Sequence, residues 1–285
     1  MVSDLRRALE GWTPDGVTTS EVVHSWPSAA FSAVLEHEGP AVGVGDPLPP
    51  LWHWFHFLDT PRQSELGEDG HPAQGRFMPP IPDRRRMIAG GRLEVRSPIR
   101  IGDRITRRAE LAEVHVKDGR SGQMVFVTTR YAFFAGEELL LTEEQDVVYR
   151  SQPPGQARAL AERRPVAEPP AQDWQLTCHS SPQLLFRFSA LTYNTHRIHY
   201  DQPYVTAVEG YPGLVVHGPL LALLLLEIPR RHLEGQVTTF DYRLTSPVIV
   251  GDTVLATGVR ADTGLVLSGA VVGGGPSITG NATLT

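Results

Sequence analysis

The chain has 285 residues, 41% of them hydrophobic, with a single cysteine and a formal net charge of -6. That length suits about two domains with substantial cores, and the acidic balance argues against a polyanion-binding surface, so nucleic acid is set aside as a partner. One thiol, Cys178, excludes an internal disulfide and a multi-cysteine metal site, suits a reducing compartment and reads as inert core.

Asp4, Arg6, Arg7 and Glu10 interrupt any apolar run at the N-terminus, so no secretory signal is read there. The longest leucine tract is too short to span a bilayer. The expectation is a soluble, cytoplasmic protein with no membrane partner. His24-Ser25-Trp26-Pro27, with Phe31 beyond it, reads as a turn, and Leu51 to Leu58 is the candidate for a central helix in this half. The run Asp83-Arg84-Arg85-Arg86 is either a solvated charge run beside a strand or a set of guanidinium forks for phosphates or a carboxylate. Leu93 to Asp103 carries Ser97-Pro98 and Gly102-Asp103. Arg104 to Val116, a turn over Lys117 to Gly122, and the β-branched and aromatic run Met124 to Phe134 read as antiparallel strands.

Ser151 to Gln172 is rich in proline, with no sustained apolar face, and reads as a linker. It divides a first domain, 1–150, from a second, 173–285. The second half repeats the earlier punctuation. His179-Ser180-Ser181-Pro182 with Phe186 has the spacing of the His24 segment, and Ser246-Pro247 followed by Gly251-Asp252 has that of the Ser97 segment. Two anchors in the same order favour an internal duplication over ordinary turn chemistry. Leu220 to Leu226 is apolar on every face and predicts a helix buried all round, with Pro219 at its first position and Pro229 as its stop. Thr238 to Leu244, Thr253 to Val259 and Leu265 to Val272 read as strands. Each half is therefore expected to wrap an antiparallel sheet around one central helix, an α+β arrangement.

The stretch Phe188 to Asp201, followed by Leu214-Val215-Val216-His217-Gly218-Pro219, resembles the active-site region of the MaoC-like, hotdog-fold (R)-specific enoyl-thioester hydratases. Those enzymes carry Asp, any residue, Asn, Pro, any residue, His; Asn194-Thr195-His196-Arg197-Ile198-His199 matches the final histidine and has Asn194 where the aspartate stands. The whole string resembles the two-domain branch that includes mesaconyl-CoA hydratases and mitochondrial 3-hydroxyacyl-thioester dehydratases. So do Leu51-Trp52-His53-Trp54 and Phe77-Met78-Pro79-Pro80-Ile81-Pro82 with Ala89-Gly90-Gly91.

The resemblance implies a double hotdog, with a degenerate first half holding the acyl and pantetheine groups and a catalytic second half. It implies reversible hydration of an enoyl thioester on coenzyme A or an acyl carrier protein, the acyl group branched or dicarboxylic, with no cofactor and no metal. Hydration needs a base for the water, a proton for the alpha carbon and a stabiliser for the enolate oxygen. His199 is assigned the proton transfers, Asn194 the orientation of water or imidazole, and the backbone N–H of Gly218 the enolate, because a helix start offers unpaired donors. Asp201, His217, Arg84, Arg85 and Arg86 are assigned to substrate binding; if a carboxylate is required, Asp201 and then Glu209 are the candidates.

Plainer readings stand beside these. His217 orients the helix start by hydrogen bonding, Arg197 pairs with Asp201 or a carbonyl, and His24 and His179 have no role. His196 and His199 have metal-ligand spacing without an obvious third ligand. A hotdog thioesterase and a non-catalytic acyl-thioester-binding subunit are the alternatives to a hydratase. A homodimer is expected.

Overall fold

The computed structural model describes residues 5–38, 42–119, 122–151 and 172–285. The proline-rich linker inferred from composition falls almost wholly outside them. In the first half the elements are α1 (Leu5–Ala8), β1 (Val17–Val22), α2 (Ser25–Val34), β2 (Arg84–Val95), β3 (Arg104–Gly119), β4 (Gly122–Ala135) and β5 (Glu138–Ser151). The second half contains β6 (Trp174–His179), α3 (Pro182–Leu191), α4 (Gln202–Ala207), α5 (Gly218–His232), β7 (Val237–Leu244), β8 (Thr253–Ala261), β9 (Gly264–Val271) and β10 (Pro276–Leu284).

All these strands join one 10-stranded antiparallel sheet in the order β1-β3-β4-β5-β2-β7-β10-β9-β8-β6. Read outward from its centre, each half has the same order: an inner strand, three strands of a meander and the half's first strand at the edge. The halves meet at β2 and β7, which pair from Gly90 opposite Arg243 to Glu94 opposite Thr239.

The repeat is closer in structure than in sequence, and it runs in a different register. The Val23 amide donates to the Asp103 carbonyl at 3.0 Å and the Gly102 amide to the Val23 carbonyl at 2.8 Å. In the second half Ser180 does the same with Asp252 and Gly251, at 3.1 and 3.2 Å. Val23 therefore corresponds to Ser180, two residues further along than the His-Ser-x-Pro echo implies. Phe31 then aligns with Phe188, both buried, whereas Phe186 is 67% exposed. That echo is local turn punctuation; the Ser-Pro and Gly-Asp echo does mark equivalent connections, β2 to β3 and β7 to β8.

Helix α5 is buried from Leu220 to Pro229, as an all-round apolar segment requires. Each fully buried leucine contributes roughly 1.5–3 kcal/mol. Pro229 does not stop the helix, which runs one turn further. The last turn is held by Glu227, which accepts from Arg230 at 2.6 and 2.8 Å and from Arg231 at 3.2 Å, and by the Leu233 amide on the Pro229 carbonyl. Glu227 also meets His37 of the first half at 2.8 Å.

The first half has no counterpart of α5 among the described residues. Leu51 to Leu58 forms only a short 3-10 turn, Trp52–Phe55, entered through Leu51 at φ 67° after Pro49 and Pro50. Aromatic packing fills the space instead: the Phe31 ring lies 5.1 Å from Trp52 and 4.7 Å from Phe55. Among the described residues no helix is long and apolar enough to cross a membrane.

Candidate active site

A cleft of about 350 Å³ opens where the two halves meet. The first half lines it with Arg86 and Ile88 of β2 and Phe126 of β4, and the second with Asn194, His199 and Gly218. That is the size of a small-molecule site.

His199 ends a short 3-10 turn and is buried. Its Nδ1 lies 2.7 Å from the Val215 carbonyl. Only a protonated Nδ1 can make that bond, so in the neutral ring Nε2 carries the lone pair. The ring stacks on His217, with centroids 3.6 Å apart and planes 17° from parallel. Burial, opposed by the Val215 bond and reinforced by Arg86, takes His199 down to about 4. Its imidazole is therefore neutral, and able to accept a proton, throughout the physiological range.

His217 does not cap α5 through its side chain. Its Nε2 is bonded to Ser189 Oγ at 2.9 Å, and it acts as a platform beneath His199. Gly218 begins the helix with its amide unpaired among the described residues. A Cβ there would lie 2.6 Å from Leu244 Cδ1, so the missing side chain lets Leu244 pack against the helix start. Asn194 does not reach His199 through a hydrogen bond: its Oδ1 accepts from the His196 amide at 2.9 Å and closes the loop that presents both histidines.

The carboxylates favoured by sequence proximity are engaged elsewhere. Asp201 caps α4 by accepting from the Tyr204 amide at 3.0 Å and takes Arg197 at 2.8 and 2.9 Å. It is not among the cleft residues. Glu209 pairs with Arg85 at 3.3 Å. Arg84 donates to the carbonyls of Ala73 and Pro79 at 2.5 and 3.3 Å. Of the arginine run, Arg86 alone lines the cleft, and its guanidinium makes no hydrogen bond or ion pair to another described residue.

The carboxylate that does approach the site comes from the first half, and sequence reading passed over it. Asp69 accepts from the His71 amide at 3.0 Å and lies 3.1 Å from His71 Nδ1. His71 lines the cleft and lies 4.0 Å from His196, centroid to centroid. The Glu68 to His71 loop is bound to the Asn194 to His199 loop by three hydrogen bonds. The Arg197 amide donates to the Asp69 carbonyl at 2.9 Å, Thr195 Oγ1 to the Gly70 carbonyl at 2.5 Å, and Arg197 to the Glu68 carbonyl at 3.0 Å. The only advance signal was Asp69-Gly70, a turn pair placed before a histidine.

Burial lowers His71, with Arg86 and His199 adding to the effect; His196 and His217 are lowered by burial and by the histidines around them. Asp69, His71 and His196 bring one donor atom each within 4.8 Å of one another. This trio differs from the His196 and His199 pair suggested by spacing; within it His71 is hydrogen-bonded to Asp69 and meets His196 by ring contact.

The hydroxyacyl-thioester dehydratase type 2 family model matches residues 51–250. The chain is 48% identical over 220 residues to the mesaconyl-C(4)-CoA hydratase of Chloroflexus aurantiacus, covering 77% of each protein. It is 26% identical over 229 residues to the mitochondrial hydroxyacyl-thioester dehydratase type 2 of Schizosaccharomyces pombe, covering 71% of this chain and 75% of that one. Its fold matches a MaoC-like dehydratase from Phytophthora capsici with a TM-score of 0.70 over 99% of both chains, at 14% identity. A double-hotdog protein of Mycobacterium tuberculosis matches with a TM-score of 0.57 at 14% identity, over 95% of this chain and 96% of that one. The fold is thus a double hotdog, and the chain belongs to the hydroxyacyl-thioester dehydratase type 2 family, as a hydro-lyase of acyl thioesters.

Proposed function

We propose that this enzyme reversibly hydrates a short, branched or dicarboxylic enoyl thioester of coenzyme A, of the mesaconyl type. The observation that carries the reading is the meeting, in one cleft, of a histidine with a free Nε2, an unpaired helix-start amide and an Asp69–His71 pair from the other half. The relative at 48% identity, a mesaconyl-C(4)-CoA hydratase, supports the acyl class.

In this mechanism the thioester carbonyl sits on the Gly218 amide and the attacking water lies between His199 and His71. His199 Nε2 takes one proton as the water oxygen bonds to the beta carbon, and the electron pair of the double bond moves onto the thioester oxygen. Gly218 N–H and the positive end of α5 hold that oxygen. His71, held in its tautomer by Asp69, accepts the second hydrogen of the water as a hydrogen bond, the role left open by Asn194. The imidazolium of His199, steadied by the Val215 carbonyl, returns its proton to the alpha carbon. One water is added and both histidines end neutral. Dehydration is the same path reversed.

Arg86 is the cation of the basic run that meets the bound thioester. The first half holds the acyl group and pantetheine arm, and the second supplies His199 and Gly218. Coenzyme A is favoured over an acyl carrier protein by the same relative. The single cysteine and the coenzyme A ester support a cytoplasmic setting, and the unpaired sheet edges β1 and β6 support a homodimer. The test follows the enoyl-thioester absorbance with crotonyl-, mesaconyl-, itaconyl- and longer straight-chain coenzyme A esters, with free thiol monitored in parallel. Loss of the conjugated band without thiol release is expected; thiol release would make the enzyme a thioesterase.

A further inference from the structure

A second cavity, of about 210 Å³, adjoins the catalytic cleft: Ile88 and Pro219, the residue after Gly218, line both. Its wall is polar. Arg107 of β3 enters it between two aromatic rings, its guanidinium carbon 5.6 Å from the centre of Phe57 and 5.5 Å from that of Tyr131. The side chain is only 16% exposed, and its one acidic neighbour, Asp59, is 3.8 Å away and 91% exposed. Arg107 Nε is buried without a hydrogen-bond partner. So is His56 Nε2, on another residue of the same cavity, whose Nδ1 is 3.3 Å from Glu21. The Arg107 Nε–H is a buried donor, costly unless something accepts from it, whereas His56, kept neutral by burial with its Nδ1–H toward Glu21, offers a lone pair at Nε2 and no proton to a carboxylate.

We propose that this cavity receives the free carboxylate of the acyl group, with Arg107 as its principal partner. The inference rests on the hydratase reading above and names the residue that selects its substrate. A carboxylate supplies the acceptor that the Arg107 fork lacks, and the arginine is weakly hydrated and prearranged on its aromatic neighbours. Tyr131, pushed up to about 12 by burial and by Glu143, remains a protonated phenol there. The cavity also contains Glu143, but that carboxylate is shielded. It is held by Trp54 at 2.7 Å and Gln145 at 2.7 Å, and lies 2.6 Å from His53 Nε2. Of the basic run Arg84 to Arg86, a sequence candidate for the same carboxylate, only Arg86 lines the cleft and none lines this cavity.

The experiment compares kcat/KM for mesaconyl-CoA, its methyl ester at the free carboxyl, and crotonyl-CoA in the intact enzyme and in Arg107→Met and Arg107→Lys. The intact enzyme is expected to prefer mesaconyl-CoA over both uncharged esters by about 100-fold, on the scale of a lost buried polar pairing. Arg107→Met should collapse that ratio, and Arg107→Lys should restore part of it. Equal loss on all three esters in Arg107→Met, or no preference in the intact enzyme, overturns the assignment. Hydration of crotonyl-CoA with none of mesaconyl-CoA overturns it while leaving the hydratase reading standing. Failure of the intact enzyme on every ester removes that reading itself.

Discussion

The His71 and His196 rings come from opposite halves of the chain, yet their centroids are 4.0 Å apart and their planes are inclined by 41°. The loop of the second half that carries His196 and His199 therefore packs against a histidine of the first, and in the proposed mechanism the first half takes part in proton handling as well as in binding. The resemblance at the sequence level implied a division between a binding half and a catalytic half. The geometry supports a shared site.

If Asp69–His71 replaces the carboxylate absent at Asn194, His71→Ala should lower kcat by about 100-fold, at the low end of a positioned acid–base group. Asp69→Asn should cost less, about 10-fold, because the histidine remains but loses its tautomer control. Steady-state assays at saturating ester, alongside thermal melts, check this. A normal kcat in His71→Ala would remove it from the mechanism.

Gly70 has φ 87°, and a Cβ there would lie 1.9 Å from the Thr195 carbonyl oxygen. Gly70→Ala should therefore separate the two loops, lower stability by more than about 1 kcal/mol and reduce kcat as His71 moves. Gly45→Ala is the control, since Gly45 has φ 89° and open space around its missing Cβ. Denaturant titration and turnover on both variants should show strain in each and loss of kcat in Gly70→Ala alone.

Substitutions at Gly218 separate space from hydrogen bonding. Alanine adds a Cβ against a mobile leucine end and should reduce kcat moderately. Proline shares that Cβ, adds two ring carbons, is tolerated at a first helical position, and deletes the N–H. Gly218→Pro should fall a further 100-fold or so below Gly218→Ala, the value of one oxyanion donor. Equal rates for the two variants would mean that the amide does not hold the enolate.

Acid should weaken both catalysis and folding. With His199 lowered from 6.5 to about 4, catalysis should stay flat in kcat/KM from neutrality down to about pH 5 and fall as His199 is protonated near 4. Folding follows a different limit. The unfolded chain takes up protons below 6.5 that the buried histidines refuse, so stability is full above 6.5 and declines as pH drops toward 4. Melting temperatures measured across that interval should fall monotonically. A melting temperature that rises on acidification would contradict the neutral, buried assignment.

Much of the fold was legible because it depends on local patterning. The β-branched runs became β4 and β7 to β9 within a residue or two at most ends, and the leucine run became a buried helix. What sequence order misread were features settled by tertiary packing. Pro229 was tolerated because Glu227 and its arginines hold the turn beyond it. Leu51 to Leu58 did not build a helix because prolines and a left-handed Leu51 precede it. The site divides in the same way. His199 and Gly218 lie within one continuous motif and could be singled out, whereas His71 lines the cleft, and Arg107 the cavity beside it, only through contacts between distant segments. Asp201 shows the converse, since closeness in sequence suggested a catalytic acid and the residue is a helix cap.

The most direct test of the account is turnover of mesaconyl-CoA by His199→Ala, followed as loss of the enoyl-thioester band against the intact enzyme at pH 7. The account predicts a fall in kcat of about 100- to 10,000-fold, with ester still bound and no thiol released. Turnover in His199→Ala equal to that of the intact enzyme would contradict it and move the proton transfers to another group in the cleft.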